Sequence, residues 1–253
     1  MKHCFAVCAY GDSPYLESCL KSLKAQTVPG DIIICTSTPS PYISDMAECY
    51  GIPVYVRTGE KGIGYDWNFA YQTADADLVT LAHQDDIYAK DYSKELIKAK
   101  KEFPDMSVFM TSSFSIKDGK IVEYGGIEIV KKILRIPLRF GDKKGALRFG
   151  NPVICPSCTY DKKMCGPAPF NPEYHFVLDW DALLRLADAE GRFVCVEKPL
   201  ISYRIHSGAA TAEAIKDNTR AKEESEMFDR TLPAFIANIV KKIYRKSYEA
   251  YVD

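Results

Sequence analysis

The chain has 253 residues, 47% of them hydrophobic and 26% charged, with a net charge of −1. That is enough for one large or two small packed α/β units, too apolar for a disordered chain, and without the overall positive charge that draws a protein to nucleic acid. No window approaches the ~20 apolar residues of a membrane span, and the stretch from Met1 to Tyr10 is too short in apolar residues for a secretory core, so the expected compartment is the cytoplasm. Nine scattered cysteines, an odd number, argue for reduced thiols rather than a disulfide framework.

Residues 3–9 are a short apolar run; Tyr10-Gly11-Asp12-Ser13-Pro14 follows, and then Tyr15, Leu16, Cys19, Leu20 and Leu23 recur at helical spacing. This predicts a strand, a loop and a helix with Ser13 as N-cap and Pro14 at the first helical position. Asp31 to Cys35 reads as a second buried strand ending in the polar turn Thr36-Ser37-Thr38-Pro39. A helix near 42–50, a strand at 54–56, a helix from about 65 to 73 and a buried strand at 78–82 come next, the last running straight into His83-Gln84-Asp85-Asp86. The alternation predicts a mostly parallel sheet with helices on both faces. Beyond it, 108–115 and 121–130 read as strands joined by a turn at Lys117-Asp118-Gly119-Lys120, followed by a basic loop to about 150 and a strand at 153–155. A helix from Asp179 to Ala189 and a strand from Arg192 to Pro199 follow. The segment Leu232, Phe235, Ile236, Ile239, Val240, Ile243 and Tyr244 is helical in period, with Lys241, Lys242, Arg245 and Lys246 on the other side. It reads as a helix docked on the domain or one lying on a membrane surface.

In parallel sheets ligands bind outside the carboxyl ends of the strands. The residues there are Ala9-Tyr10-Gly11, Thr36-Ser37-Thr38 and His83-Gln84-Asp85-Asp86. Adjacent carboxylates repel unless positive charge stands beside them, so Asp85-Asp86 is either a solvated turn or a site for a divalent cation bridging to a diphosphate. Asp179-Trp180-Asp181 opens a helix; its aspartates serve the helix dipole, or one is a general base. Arg204 and His206 are a surface pair or partners of a diphosphate and its metal. Cys155-Pro156-Ser157-Cys158, with Cys165 and His175, supplies at most half of a well-spaced zinc site and otherwise reads as buried thiols. Gly62-Ile63-Gly64 lacks the third glycine and the preceding strand of a dinucleotide site.

The order of these motifs resembles the family 2 glycosyltransferases of the GT-A fold over roughly residues 3–211. Tyr15-Leu16-Glu17-Ser18-Cys19-Leu20-Lys21-Ser22-Leu23-Lys24-Ala25-Gln26-Thr27 matches the family's "yLxxClxSLxxQT" after Ala9-Tyr10-Gly11-Asp12. The metal motif falls on Ala82-His83-Gln84-Asp85-Asp86, the "ED" motif on Leu178-Asp179 with Arg185 following, and "yRxHxxsxT" on 203–211. The resemblance implies an α/β GT-A domain over 1–215, with a nucleotide-binding half to about 112 and an acceptor-side half over 113–215, then a helical extension over 216–253.

It further implies an inverting transfer from a nucleotide-sugar donor, first of all a UDP-sugar, with Asp179 as base. Asp85 and His206 would ligate Mn2+ or Mg2+. Ala9, Tyr10, Ser37, Asp66 and Asn68 would contact the nucleotide, joined by His83, Gln84, Asp86 and Arg204. The implied acceptor is a glycan or a lipid-linked acceptor, with bacterial surface polysaccharide synthesis as the expected setting; peripheral membrane contact through the basic C-terminal helix is the second reading of that helix's own pattern. The chain departs from the pattern where Thr36-Ser37-Thr38 replaces an acidic turn, where His83 and Leu178 replace the first acids of two motifs, and where Asp66-Trp67-Asn68 replaces an Arg-Asn pair. Asp66 is then a nucleoside contact or a helix cap. The basic stretch from Lys131 to Arg148 is an acceptor border or a solvated loop. A catalytically degenerate sugar-nucleotide binder is the non-enzymatic rival; a nucleotidylyltransferase would need a Gly-rich basic loop that Tyr10–Pro14 does not provide. The enzyme reading requires Asp85 and Asp179 to meet across one cleft.

Overall fold

The computed structural model of the protein describes residues 1–122, 125–245 and 248. Its first third follows the expected alternation: β1 (His3–Ala9), α1 (Leu16–Lys24), β2 (Asp31–Thr36), α2 (Pro41–Tyr50), β3 (Val54–Val56), α3 (Ile63–Thr73) and β4 (Leu78–His83). β1 and β4 are buried along nearly their whole length, because a parallel strand covered by helices on both faces reads as an unbroken apolar run. α2 is written locally: the Ser40 hydroxyl accepts from the Ile43 N–H, Pro41 takes the first position, and Gly51 ends the helix at φ 58°. α1 begins later than expected. The Ser13 carbonyl accepts from the Leu16 N–H in a preceding turn, and Tyr15, not Ser13, occupies the cap position.

β5 (Ile87–Tyr88), α4 (Tyr92–Glu102), β6 (Met106–Lys117) and β7 (Lys120–Val122) come next; β6 and β7 form a hairpin whose Asp118 and Gly119 both have positive φ. The strand expected to run to 130 stops at Val122; its residues 123 and 124 lie outside the described ones. From Gly125 the chain is α5 (Gly125–Arg139) and then α6 (Lys143–Leu147), where a basic loop was expected. Ile129, Ile133 and Ile136 recur at helical spacing, and their β-branched character imitates a strand in a short window. The strand expected at 153–155 is likewise displaced: Cys155–Ser157 form a single 3-10 turn and β8 is Thr159–Asp161, followed by α7 (Lys162–Cys165). α8 (Leu178–Asp188) lies where the periodicity placed it. β9 (Arg192–Ile205) continues past Pro199, which sits at a register shift against β6 where no ladder N–H is required. α9 (Ala210–Lys216), α10 (Thr219–Thr231) and α11 (Ala234–Arg245) complete the described helices.

The nine strands form one sheet in the order β3-β2-β1-β4-β8-β6-β9-β5, with β7 on β6. β3, β2, β1 and β4 are parallel, as are β6 and β9; the short antiparallel β8 joins the two sets. The carboxyl ends of β1, β2 and β4 therefore share one edge. One face packs Phe5, Val7, Leu20, Ile34 and Leu96 under α1, α2 and α4. The other packs Ala6, Tyr71, Trp180, Leu183 and Phe228 under α3, α8 and α10.

Candidate functional site

Three strand ends are stitched together by their own polar side chains. The Gln84 amide, after β4, accepts from the Tyr10 N–H at 3.0 Å and donates to the Tyr10 carbonyl at 2.8 Å. The Gly11 N–H donates to Thr38 Oγ1 at 2.8 Å, which ties the loop after β1 to the loop after β2. The Tyr10 ring itself is exposed, standing over the edge.

β9 brings the last motif to the same place. His206 Nε2 lies 2.9 Å from Asp85 Oδ2, and the Arg204 guanidinium donates to the Asp85 carbonyl at 2.9 Å while its backbone N–H donates to Asp86 Oδ1 at 2.8 Å. The Tyr15 ring stacks under both, 4.2 Å from the Arg204 guanidinium carbon and 4.9 Å from the His206 ring. Residues more than a hundred positions apart thus form one cluster, because β5 pairs with β9 and draws its end beside the loop after β4.

Candidate ligand atoms of His83, Asp85 and Asp86 lie within 4.8 Å of one another. His83 Nε2 and Asp86 Oδ2 are buried and have no hydrogen-bond partner among the described residues. Orphaned buried acceptors are costly, and a cation would satisfy both. Burial pushes the His83 imidazole below its ordinary pKa, against the pull of Asp85, which leaves a neutral ring with a free lone pair. Asp86 is raised, by burial first and by the neighbouring Asp85 carboxylate second. At Asp85 burial also raises, but the hydrogen bond to His206 and the polarity of the neighbouring imidazoles outweigh it and hold the group below the usual range. Two carboxylates and an imidazole suit a divalent cation of the Mn2+ or Mg2+ type. His206 reaches this set through Asp85. The thiols of Cys155, Cys158 and Cys165 are free and buried, and among the described residues they form no metal group with the exposed His175.

Asp66 lies in the first turn of α3, but Gly62 holds the cap position and the Asp66 carboxylate is used laterally: Arg57 Nε donates to it at 2.6 Å and the Ser37 hydroxyl at 3.0 Å. Ser37 and Asp66 therefore sit together beside the end of β2, with Arg57 as a third member. Arg57 was not singled out in the sequence; it follows β3, which was read at its observed bounds, but no motif marks an arginine there. Asn68 points elsewhere. Its amide exchanges two hydrogen bonds with the Phe170 backbone, at 2.7 and 3.1 Å, and so holds the loop before α8. Ala9 is buried at the end of β1, where only its backbone borders the crevice.

Asp179 is the second residue of α8. It accepts from Asn151 Nδ2 at 2.8 Å and from the Trp180 N–H at 2.8 Å, yet burial outweighs both and pushes its pKa up to about 6. Asp181, one turn position on, is committed to Arg185 and Arg230 at 2.8 Å each. Burial raises the Cys155 thiol and the charges of Asp179 and Asp86 add to it, so this thiol is within electrostatic range of both carboxylates. Leu178, in place of an acid, is buried against Gly64 of α3. Asn151 and Glu223 also escaped the sequence reading; their roles depend on long-range contacts, and a lone Asn or Glu carries no motif.

No curated protein matches the chain in sequence. Among solved structures, S. aureus TarS 1-349 in complex with UDP-GlcNAc superposes with a TM-score of 0.63 at 15% identity, over 99% of this chain and 73% of that one. The mannosyltransferase PcManGT from Pyrobaculum calidifontis, in complex with GDP-Man and Mn2+, gives 0.66 at 13% identity, over 98% and 69%. Glucosyl-3-phosphoglycerate synthase from Mycobacterium tuberculosis, with Mn2+, UDP and glucosyl-3-phosphoglycerate, gives 0.60 at 13%, over 92% and 81%. At such identities the likeness is one of fold, here the GT-A fold. The family model "Glycosyl transferase family 2" matches residues 4–162, which contain the stitched strand ends and the His83-Asp85-Asp86 group; the chain belongs to glycosyl transferase family 2.

Proposed function

We propose that the protein is an inverting, metal-dependent glycosyltransferase that takes a nucleotide sugar, first of all a UDP-sugar, and transfers the sugar to a hydroxyl of a glycan or lipid-linked acceptor. The carrying observation is the group of His83, Asp85 and Asp86 at the strand ends, with two buried acceptor atoms that lack a partner among the described residues. His83, Asp85 and Asp86 would hold Mn2+ or Mg2+, with His206 orienting Asp85. The bound cation would offset the negative charge of the departing diphosphate. Asp179 accepts the proton of the acceptor hydroxyl as that oxygen attacks the anomeric carbon. Arg204, steadied on the Tyr15 ring, adds positive charge on the leaving-group side. Ser37 and Asp66, with Arg57, form the nucleoside end, and Tyr10 and Gln84 border it. The assignment of the acceptor to bacterial surface polysaccharide rests on the family resemblance; no helix of the described residues is long and apolar enough to cross a membrane.

The test is a panel of UDP- and GDP-sugars incubated with the purified chain, with and without Mn2+ or Mg2+, reading released nucleoside diphosphate. Slow metal-dependent hydrolysis of one donor is expected, with Asp85→Asn losing about 10²–10³ in turnover. Metal-dependent donor binding without hydrolysis or transfer would instead identify a sugar-nucleotide binding domain.

A further inference from the structure

α5 and α11 each carry a second apolar face that turns away from the core. On α5, Ile129, Ile133, Ile136 and Phe140 are exposed, Ile133 by 57% and Phe140, just past the helix end, by 84%. Their spacing of i, i+4, i+7 and i+11 makes one stripe. The opposite side is anchored: the Arg135 guanidinium is buried, bonded to Glu197 at 2.7 and 3.0 Å and to the Pro152 carbonyl at 3.2 Å, and Leu138 is in the core. On α11, Phe235, Ile239 and Ile243 repeat at i, i+4 and i+8 and are exposed, Phe235 by 70%. Here too the other side is committed, with Ala237 buried and the Tyr244 ring 5.2 Å from Phe228. The two helices are joined through α6, which packs on α5 and leads to the exposed Phe149 and to Gly150, whose backbone rests against the Tyr244 ring.

Cations border both stripes. The charged side chains of Lys132 and Arg139 on α5, Arg148 after α6, and Lys242 and Arg245 on α11 have no ion-pair or hydrogen-bond partner among the described residues. In a chain of net charge −1, such a local excess of unpaired cations beside exposed isoleucine and phenylalanine is the make-up of an interfacial amphipathic surface. A second copy of the chain fits it poorly, because a two-fold contact would set these cations against one another. We infer that α5 and α11, with the α6 link between them, form a surface that docks on an anionic lipid membrane, the Ile/Phe stripes entering the headgroup boundary and the cations meeting lipid phosphates. The sequence had pointed only to the C-terminal helix; α5 supplies the larger apolar stripe.

Co-sedimentation of the full chain with vesicles tests this without donor or metal, so its outcome is independent of the transferase reading. The chain is expected to pellet with vesicles of phosphatidylcholine and phosphatidylglycerol in equal parts, to remain in solution with phosphatidylcholine alone, and to detach as salt is raised. Ile133→Ser combined with Phe140→Ser should weaken the partition by roughly ten-fold or more. Arg139→Glu combined with Lys242→Glu should do the same on anionic vesicles, both pairs keeping the parent's unfolding midpoint because the side chains are exposed. The inference is overturned if the parent ignores anionic vesicles, if both folded variants bind as the parent does, or if light scattering finds a stable dimer that the Ile133→Ser/Phe140→Ser pair splits into monomers.

Discussion

Asp179 stands where opposing effects meet. Its position in the first turn of α8 and two donated hydrogen bonds favour the carboxylate, while burial favours the acid and prevails, leaving a pKa of about 6 instead of 3.8. A base must be ionised to accept a proton. We expect kcat/KM to climb by about ten-fold per pH unit below ~6 and to level above it; Asp179→Asn should cost about 10²–10⁴ in turnover and abolish that limb. A pH–rate profile of parent and variant measures both, and near-normal turnover in the folded variant removes Asp179 as base. The same shift has a stability consequence of opposite sense to the usual salt-bridged carboxylate. The folded state holds the Asp179 proton more tightly than the unfolded one, so its contribution is fully present below pH 3.8 and lost as pH rises through about 6. Legibility differs residue by residue. Asp85, Asp86 and His206 were visible because a strand end and a motif announce them, whereas Arg57 and Asn151 were not, because each acts through a partner that only folding brings near.

At the scale of elements, α8 shows how the helix that carries Asp179 is held. Its N-terminus has no side-chain cap of its own. The buried Glu223 of α10 instead fixes the segment that leads into it, its carboxylate accepting from the N–H groups of His175, Phe176 and Val177 at 2.8–3.1 Å. Glu223→Ala would leave three amides without a partner, and a loss of about 1–3 kcal/mol is expected in urea unfolding. Asp179 lies two residues beyond this segment, so under the proposed role kcat should fall as well, while donor KM, set by residues that Glu223 does not touch, should hold. An unchanged kcat in a destabilised variant would assign Glu223 to the fold alone. α5 is the element whose expected type was wrong. Isoleucines satisfy both a strand and a helix over six residues, and the tie is broken by Arg135 reaching Glu197 on β9, a contact 62 positions away that no window contains.

For the whole molecule, the open matter is how residues beyond 215 relate to the rest. Met227, Phe228 and Ala237 belong to the same core as Ala6, Val79 and Trp180, and the Phe228 and Trp180 rings are 5.0 Å apart. Removing 216–253 would expose that core and free the segment that leads into α8. We expect such a chain to lose its cooperative unfolding transition and its near-ultraviolet circular dichroism; a sharp transition in the shortened chain would show that 1–215 folds alone. What the sequence determined by itself is local and periodic: the α/β alternation to residue 83, the strand ends where a crevice opens, and the acidic and Arg-x-His motifs. Apolar period and turn chemistry act within a dozen residues, so one dimension records them. Only the tertiary structure decided that Asn68 holds a loop, that Asp66 faces Arg57 and Ser37, that the segment before α8 is held from α10, and that α5 is a helix with an uncovered face. Each of these depends on burial and on partners far along the chain, and those are properties of the packed molecule.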